Sequence, residues 1–265
     1  MIPAMTKSAA EAASAYSTGL LCLKLRQPEE ALKHFNYALS LSPDIARVLY
    51  QRAFTHNMLG NIKEALADCN EAVTLDASDP WCYIHRALIF SELNQPENVI
   101  EDCTRAIALN PTLAIAYSER ASARCDLRDF AQAITDLSKA IEIDPKDPNS
   151  YICRAVASDE LGQYDKTIED FSQALKLNPQ DATVVFSRAL AYHKTGQYEK
   201  AIADYNQTLE LQPQCEEAVH NRGLAMEQID MKEKLEILAP ETKRKSSGAR
   251  VYDLFTKVEI AQTDN

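Results

Sequence analysis

The sequence predicts an all-α solenoid of six helical hairpins followed by a capping helix. The first observation is an internal repeat, because the chain resembles itself every 34 residues without insertion. The second is that small and apolar residues recur at i, i+4 and i+7 in both halves of each repeat, the spacing of one helix face. The third is that only 6 of the 265 residues are glycine, which leaves few tight turns.

The repeat divides the chain into four kinds of segment. An N-terminal extension covers residues 1–11, a capping helix is expected over 216–239, and a basic linker with a short tail fills 240–265. Prolines close five of the units, at Pro43, Pro111, Pro145, Pro179 and Pro213. The six repeats are expected at 12–45, 46–79, 80–113, 114–147, 148–181 and 182–215.

Each repeat is predicted to form two helices, here called helix A and helix B. Counting from the first residue of a repeat, positions 4, 8 and 11 form the stripe of helix A and positions 20, 24 and 27 that of helix B. Between them, position 15 is Gly60, Gly162 or Gly196 in three repeats, which predicts a left-handed residue that ends helix A. Asn94 tolerates that conformation, whereas Arg26 and Arg128 should each cost about 1 kcal/mol there.

Composition and charge exclude several classes of function. A net charge of -11 speaks against unspecific binding to nucleic acid or to an anionic membrane, which needs concentrated Lys and Arg. The 7 cysteines form no CxxC pair or metal-spaced cluster and are expected to be free thiols. No membrane-spanning run or secretory signal is recognisable, so a cytoplasmic or nuclear protein is expected.

The repeats resemble those of the tetratricopeptide repeat family. The residues that carry the resemblance are small side chains at positions 8, 20 and 27, Gly at 15, an aromatic near 24 and Pro at 32, from Ala12 to Cys215. This chain departs from the family in having mostly Tyr at position 4 and Arg at position 7. The resemblance implies a right-handed superhelix whose A helices line a concave, ligand-binding side.

Two charged series repeat with the same period. Position 7 is Arg in five repeats and at the corresponding position of the capping helix, and position 23 is Asp in the same five repeats. An anion-binding ladder is one interpretation, but bidentate Arg–Asp pairs that satisfy both charges between packed helices are favoured. Pairing within or between repeats is left open. The residues of this ion-pair ladder are Arg52, Arg86, Arg120, Arg154, Arg188, Arg222, Asp68, Asp102, Asp136, Asp170 and Asp204.

The resemblance also assigns positions 2, 5, 9, 12 and 13 to the concave groove. In this chain that groove is mostly apolar, with Trp81 as a candidate anchor and a mainly acidic rim that suits a basic or neutral amphipathic segment. Part of the stripe is alternatively packing between A helices. The predicted groove residues are Tyr16, Tyr50, Phe54, Trp81, Ile84, Leu88, Ile152, Val156, Phe186, Leu190 and His220.

The predicted function is that of a non-enzymatic scaffold or adaptor that binds a peptide segment of a partner protein. No catalytic constellation, phosphate-binding loop or metal motif is recognisable, and no cofactor is expected. The Lys and Asn pattern with which co-chaperones of this family clamp a chaperone C-terminus is not assembled, which argues against that ligand. The alternatives are a self-assembling, dimeric structural module and a regulatory subunit of a larger complex.

The C-terminal segment carries two further expectations. Pro240 is expected to end the capping helix, ahead of a basic run at 243–245. Val251, Leu254, Phe255 and Val258 have the spacing of a short amphipathic helix, which we expect to dock on the cap or in the groove.

Overall fold

The fold is all-α, as the sequence predicts. The computed structural model describes residues 7–42 and 45–245, with side chains described as far as residue 234. This part of the chain contains thirteen α-helices and no strand. They are α1 (Lys7–Lys24), α2 (Pro28–Leu41), α3 (Ala46–Met58), α4 (Ile62–Leu75), α5 (Pro80–Glu92), α6 (Pro96–Leu109), α7 (Ala114–Asp126), α8 (Phe130–Ile143), α9 (Pro148–Glu160), α10 (Tyr164–Leu177), α11 (Ala182–Lys194), α12 (Tyr198–Leu211) and α13 (Glu216–Lys245).

The helices belong to two compact units. The first unit, Met1–Pro179, contains the five hairpins from α1–α2 to α9–α10. The second, Gln180–Asn265, contains the hairpin α11–α12 and the long helix α13 in its described part. From α3 to α13, every odd-numbered helix begins at the first position of the 34-residue repeat, so odd-numbered helices are A helices and even-numbered helices to α12 are B helices.

The turn between the two helices of a hairpin is set by the left-handed residue at position 15. Gly60, Gly162 and Gly196 have φ between +69° and +76°, as their lack of a side chain allows. Asn94 has φ +53°, and Arg26 and Arg128 have φ +58° and +60°. The predicted left-handed conformation is therefore present in all six hairpins, including the two where an arginine is strained by it.

The hairpin cores are built from small residues that let the helices approach closely. Ala53 on helix A and Ala65 and Ala72 on helix B are each 0 % exposed in the second hairpin. Cys69 lies among them at position 24, and burial raises the pKa of its thiol to about 12. Such a thiol stays protonated and packs as a small apolar group.

Two glycines at position 8 are expected to respond oppositely to replacement by alanine. A Cβ at Gly19 would lie 2.5 Å from Cε1 of the buried Phe35 ring, whereas a Cβ at Gly223 meets nothing within 4 Å. We expect Gly19→Ala to lower the free energy of unfolding by about 1–3 kcal/mol through overpacking. Gly223→Ala should raise it by about 0.5–1 kcal/mol through helix propensity. Urea denaturation of both variants measures the difference, and a stabilised Gly19→Ala protein would show that the Phe35 ring has room to move.

The position-7 arginines pair with the aspartate of their own hairpin. In the second hairpin, Arg52 donates from Nε to Oδ2 of Asp68 at 2.7 Å and from Nη2 to Oδ1 at 2.6 Å. The same bidentate geometry recurs between the two helices of each of the next four hairpins, and the aspartates are buried. The pairs are Arg52–Asp68, Arg86–Asp102, Arg120–Asp136, Arg154–Asp170 and Arg188–Asp204.

The third nitrogen of these guanidinium groups links one hairpin to the previous one. Nη1 of Arg52 donates to Oδ1 of Asn36 at 2.9 Å, and Nη1 of Arg86 donates to Oδ1 of Asn70 at 3.1 Å. Arg120 and Arg154 donate in the same way to Thr104 and Ser138, which also occupy position 25 of the preceding repeat. Because both edges of the group are occupied, these arginines are not presented as an anion-binding surface.

The helix boundaries at the two ends differ from the sequence prediction. Helix α1 begins at Lys7, so part of the expected extension 1–11 is helical. Helix α13 continues past Pro240 to Lys245, whereas the sequence predicted an end at 239. A proline inside a helix removes one main-chain hydrogen bond and bends the helix, but the rest of the helix can continue. The tail residues Val251, Leu254, Phe255 and Val258 lie outside the described part of the chain.

Candidate functional site

An aromatic pocket lies between the A helices α3 and α5 of the first unit. It has a volume of about 400 Å³ and is lined by Tyr50, Gln51, Phe54, Trp81 and His85. Phe54 and Trp81 are 37 % and 40 % exposed, so both present apolar surface to solvent. Large aromatic side chains exposed around a concavity are typical of sites that bind an apolar or aromatic group of a partner.

The start of α5 positions Trp81. The Asp79 carboxylate caps the helix by accepting a hydrogen bond from the Trp81 main-chain N–H at 2.9 Å. Pro80 follows as the first helical residue, where no N–H donor is needed. The Asp79–Pro80 pair therefore fixes Trp81 in the first turn of α5, one helical turn ahead of His85.

His85 forms the centre of the aromatic cluster. Its imidazole stacks on Tyr50, with ring centroids 4.6 Å apart and planes 12° from parallel. Phe54 and Trp81 approach the same ring at 6.2 Å and 6.3 Å. Burial lowers the pKa of His85 from 6.5 to about 4. The imidazole is accordingly neutral near neutral pH and contributes apolar and hydrogen-bonding surface rather than charge.

The structure corrects the predicted role of position 5. Ile84 is 0 % exposed and packs against Ala106 of α6 and Ala116 of α7, so it belongs to the core and not to a groove. Tyr50, also at position 5, is only 9 % exposed and reaches the pocket mainly through its stacked ring. Position 5 of α3 and of α5 thus faces the neighbouring helices, and this packing was the alternative interpretation of the stripe.

The remaining predicted groove residues do not join this pocket. In the first unit, Val156 on α9 is 48 % exposed, while Tyr16, Leu88 and Ile152 are half-buried. Tyr16 and Leu88 pack against buried core clusters. In the second unit, Phe186 and Leu190 pack around the buried Tyr205, and His220 is exposed. Of the eleven predicted residues, the structure brings Tyr50, Phe54 and Trp81 together in one pocket.

Two pocket residues were missed because both occupy position 6. Gln51 and His85 line the pocket, yet the groove predicted from the sequence contains position 5 and not position 6. Positions 2, 6, 9 and 13 are separated by 4, 3 and 4 residues and therefore share one helix face. Position 2 is exposed in every A helix from α3 to α13, and this solvent-facing stripe could have been found from the spacing alone.

Among the described side chains of residues 7–42 and 45–234, no three from His, Cys, Asp or Glu are grouped as metal ligands. Over residues 7–42 and 45–245, no helix is both long and apolar enough to cross a bilayer.

Repeated antiparallel helical hairpins with small residues at their crossing points define a class of helical repeat proteins. Family models of the tetratricopeptide repeat match residues 16–80, 114–147 and 137–169, and models of the TPR repeat match 160–196 and 191–230. The chain belongs to the tetratricopeptide repeat family. No curated protein matches it by sequence.

Solved structures of the same fold are similar to this chain. PilF of Pseudomonas aeruginosa has a TM-score of 0.74 at 15% identity, over 82% of this chain and 99% of its own. YrrB, described as a TPR protein with an unusual peptide-binding site, has a TM-score of 0.62 at 17% identity, over 71% of this chain and 97% of its own. MamA has a TM-score of 0.58 at 21% identity, over 61% and 94%. At these identities the likeness shows the fold alone.

Proposed function

We propose that this protein is a non-enzymatic interaction scaffold that binds a peptide segment of a partner protein at the pocket between α3 and α5. The observation that carries the proposal is the exposed aromatic pocket of Tyr50, Gln51, Phe54, Trp81 and His85. Exposure of Phe54 and Trp81 to water does not stabilise the isolated protein. A ligand that covers both side chains removes their apolar surface from water, and this burial stabilises the complex.

The chemistry around the pocket suggests which segment would bind. The lining is aromatic, with the neutral His85 and the amide of Gln51 as polar groups, so an apolar or aromatic anchor side chain suits it. On α5 the acidic Glu92 is exposed, and the whole chain carries a net charge of -11. Basic residues beside the anchor would therefore raise the association rate.

A displayed library of random peptides tests this function. We expect the full chain to enrich peptides that combine an aromatic or aliphatic anchor with neighbouring Lys or Arg. The double variant Phe54→Ser, Trp81→Ser should lose the enriched peptides, because it removes both exposed anchoring surfaces. The matched control is Tyr37→Ser, Leu75→Ser, which removes two equally exposed apolar side chains from B helices, at 51 % and 41 % exposure.

The control variant distinguishes specific binding at the pocket from nonspecific binding to exposed apolar side chains. The proposal is supported if the control variant keeps the enriched peptides and circular dichroism shows both variants folded to the same extent. It fails if the pocket variant binds the same peptides as the unmodified chain, or if no peptide is enriched at all.

A further inference from the structure

Helix α13 is an A helix that is followed by no B helix of its own within the described residues. In α11 of the same unit, Val185 at position 4 and Ala189 at position 8 are both 0 % exposed. The corresponding Val219 of α13 is 50 % exposed, and a Cβ at position 8, Gly223, would meet no atom within 4 Å. Met226 at position 11 is 54 % exposed. The face that a B helix covers in every earlier hairpin is open in α13.

The opposite side of α13 is packed in the ordinary way. Ala218 and Ala225, at positions 3 and 10, are 0 % exposed and belong to the cluster around Tyr205 of α12. The helix is therefore firmly held against the preceding hairpin, and its open face is not the result of a poorly seated helix. We call the open face, formed by Val219, Arg222, Gly223 and Met226, the α13 face.

Arg222 indicates which charge a ligand of the α13 face would carry. It stands at position 7, where the five preceding arginines hold a B-helix aspartate through Nε and Nη2. Its Nη1 donates to Oδ1 of Asn206 at 2.7 Å, the same link to position 25 of the previous repeat that the other arginines make. Among the residues with described side chains, no carboxylate pairs with Arg222. The edge formed by Nε and Nη2 is thus oriented like the others but has no acceptor.

Five covered copies of this face in the same chain define what fits it. Each is covered by a B helix with a small or β-branched residue at position 20, Asp at 23, an apolar or aromatic residue at 24 and Ala or Thr at 27. In each segment the aspartate at position 23 lies between the residues at positions 20 and 24, which pack on positions 4, 8 and 11 of helix A. The five segments are ALADCNEA (65–72), VIEDCTRA (99–106), AITDLSKA (133–140), TIEDFSQA (167–174) and AIADYNQT (201–208).

Asp253, the first aspartate after α13, cannot reach Arg222 along the chain while α13 is helical as far as Lys245. From Arg222 to Lys245, α13 advances 23 residues, or about 35 Å. The first aspartate beyond it, Asp253, is 8 residues further on and reaches back at most about 29 Å.

We propose that the α13 face is a docking site for an amphipathic helix of another protein that carries the pattern small–x–x–Asp–apolar–x–x–small. Its aspartate pairs with Nε and Nη2 of Arg222, and its apolar residue packs over Gly223 between Val219 and Met226. The partner helix completes a seventh hairpin from outside the chain. This site is separate from the pocket between α3 and α5 and does not depend on it.

The test uses a helix of known fit as the probe. A synthetic peptide with the α8 sequence FAQAITDLSKAIEI, residues 130–143, is cross-linked between the positions of Ala131 and Thr135, both exposed in the protein, to hold it helical. It is titrated into the isotope-labelled full chain and followed by NMR. We expect shift changes confined to α13 and to the neighbouring Asn206.

Two matched changes test the charge pairing. Replacing the peptide's aspartate by asparagine should weaken binding by about tenfold or more, as loss of a charge-assisted bidentate pair does. Arg222→Gln in the protein should weaken binding by a similar factor, and the two changes together should cost little more than either alone. For the apolar part, Met226→Glu should abolish binding, while Leu224→Glu, a change at another exposed apolar residue of the same helix, should not.

Several outcomes would overturn the proposal. The proposal is wrong if the peptide does not bind, or if the shift changes map to α7 or α9. It is also wrong if neither the Arg222 change nor the peptide aspartate change alters the affinity. A gain of about tenfold or more in peptide affinity on deleting residues 246–265 would show that the chain's own tail occupies the face. A dimer in light scattering that Met226→Glu disperses would show that a second copy occupies it.

Discussion

Replacing Asp136 by alanine is expected to lower the free energy of unfolding by about 3–5 kcal/mol, because it breaks a buried ion pair and leaves the cations behind. The Asp136 side chain is 4 % exposed and holds two guanidinium groups. Arg120 donates to it from Nε at 2.8 Å and from Nη2 at 2.7 Å, and Arg124 donates from Nη1. Urea denaturation followed by circular dichroism measures the loss.

Two comparisons separate the pair from general packing. Arg120→Leu should cost about 3 kcal/mol by the same argument, because the buried carboxylate loses its bidentate partner. Arg222→Leu removes an arginine at the same position that makes one side-chain hydrogen bond, to Asn206, and should cost only about 1 kcal/mol. If Arg120→Leu and Arg222→Leu lower the free energy of unfolding by the same amount, the pairing of Arg120 with Asp136 adds no stability beyond the hydrogen bond to position 25.

The hydrogen bonds at position 25 explain why the pairs matter for more than one hairpin. The guanidinium groups of Arg52, Arg86, Arg120 and Arg154 are each fixed on two sides, by an aspartate of their own hairpin and by a position-25 side chain of the previous one. Those position-25 residues are Asn36, Asn70, Thr104 and Ser138. Breaking a pair therefore loosens the stacking of two consecutive hairpins as well as the packing inside one. A repeat protein depends on such nearest-neighbour contacts, because each repeat touches only its neighbours.

The features that repeat are those that the sequence predicted well. Six units in register show where the A helices from α3 onward start and place a left-handed residue at position 15. The structure has φ of +53° to +76° there, even at Arg26 and Arg128. Because the pattern is repeated in six units, an atypical residue in one unit does not hide it. The Arg and Asp series could be recognised for the same reason. Because the two series have the same period, however, spacing alone does not show whether an arginine pairs within its own repeat or with a neighbouring repeat.

The features that the sequence missed depend on the direction of individual side chains. Position 5 and position 6 are about 100° apart around the helix, and this angle separates the buried Ile84 from the pocket residue His85. Position 5 is mostly apolar or aromatic and position 6 is mostly polar in this chain, so composition favoured position 5 for an apolar groove. Likewise, Pro240 is a local stop signal that cannot show how far α13 continues beyond it.

His85 gives the protein a pH-dependent stability with a defined sign. Its folded-state pKa of about 4 lies below the ordinary 6.5 because burial disfavours the imidazolium. The unfolded chain therefore binds the proton first as the pH falls, and the stability that neutral His85 contributes is complete above pH 6.5 and is lost between 6.5 and 4. Since one pKa unit corresponds to about 1.4 kcal/mol, the loss amounts to about 3 kcal/mol.

The variant His85→Phe isolates this contribution. It keeps an aromatic ring to stack on Tyr50 but cannot bind a proton, so the carboxylates that titrate in the same range act equally in both proteins. The difference in unfolding free energy between the unmodified chain and the variant should be constant above pH 6.5 and should fall steadily as the pH is lowered towards 4. A difference that does not change with pH would mean that the imidazole is well solvated when protonated. If the pocket binds a segment with basic residues, the same protonation would place a positive charge against that ligand, so binding and stability should weaken together in acid.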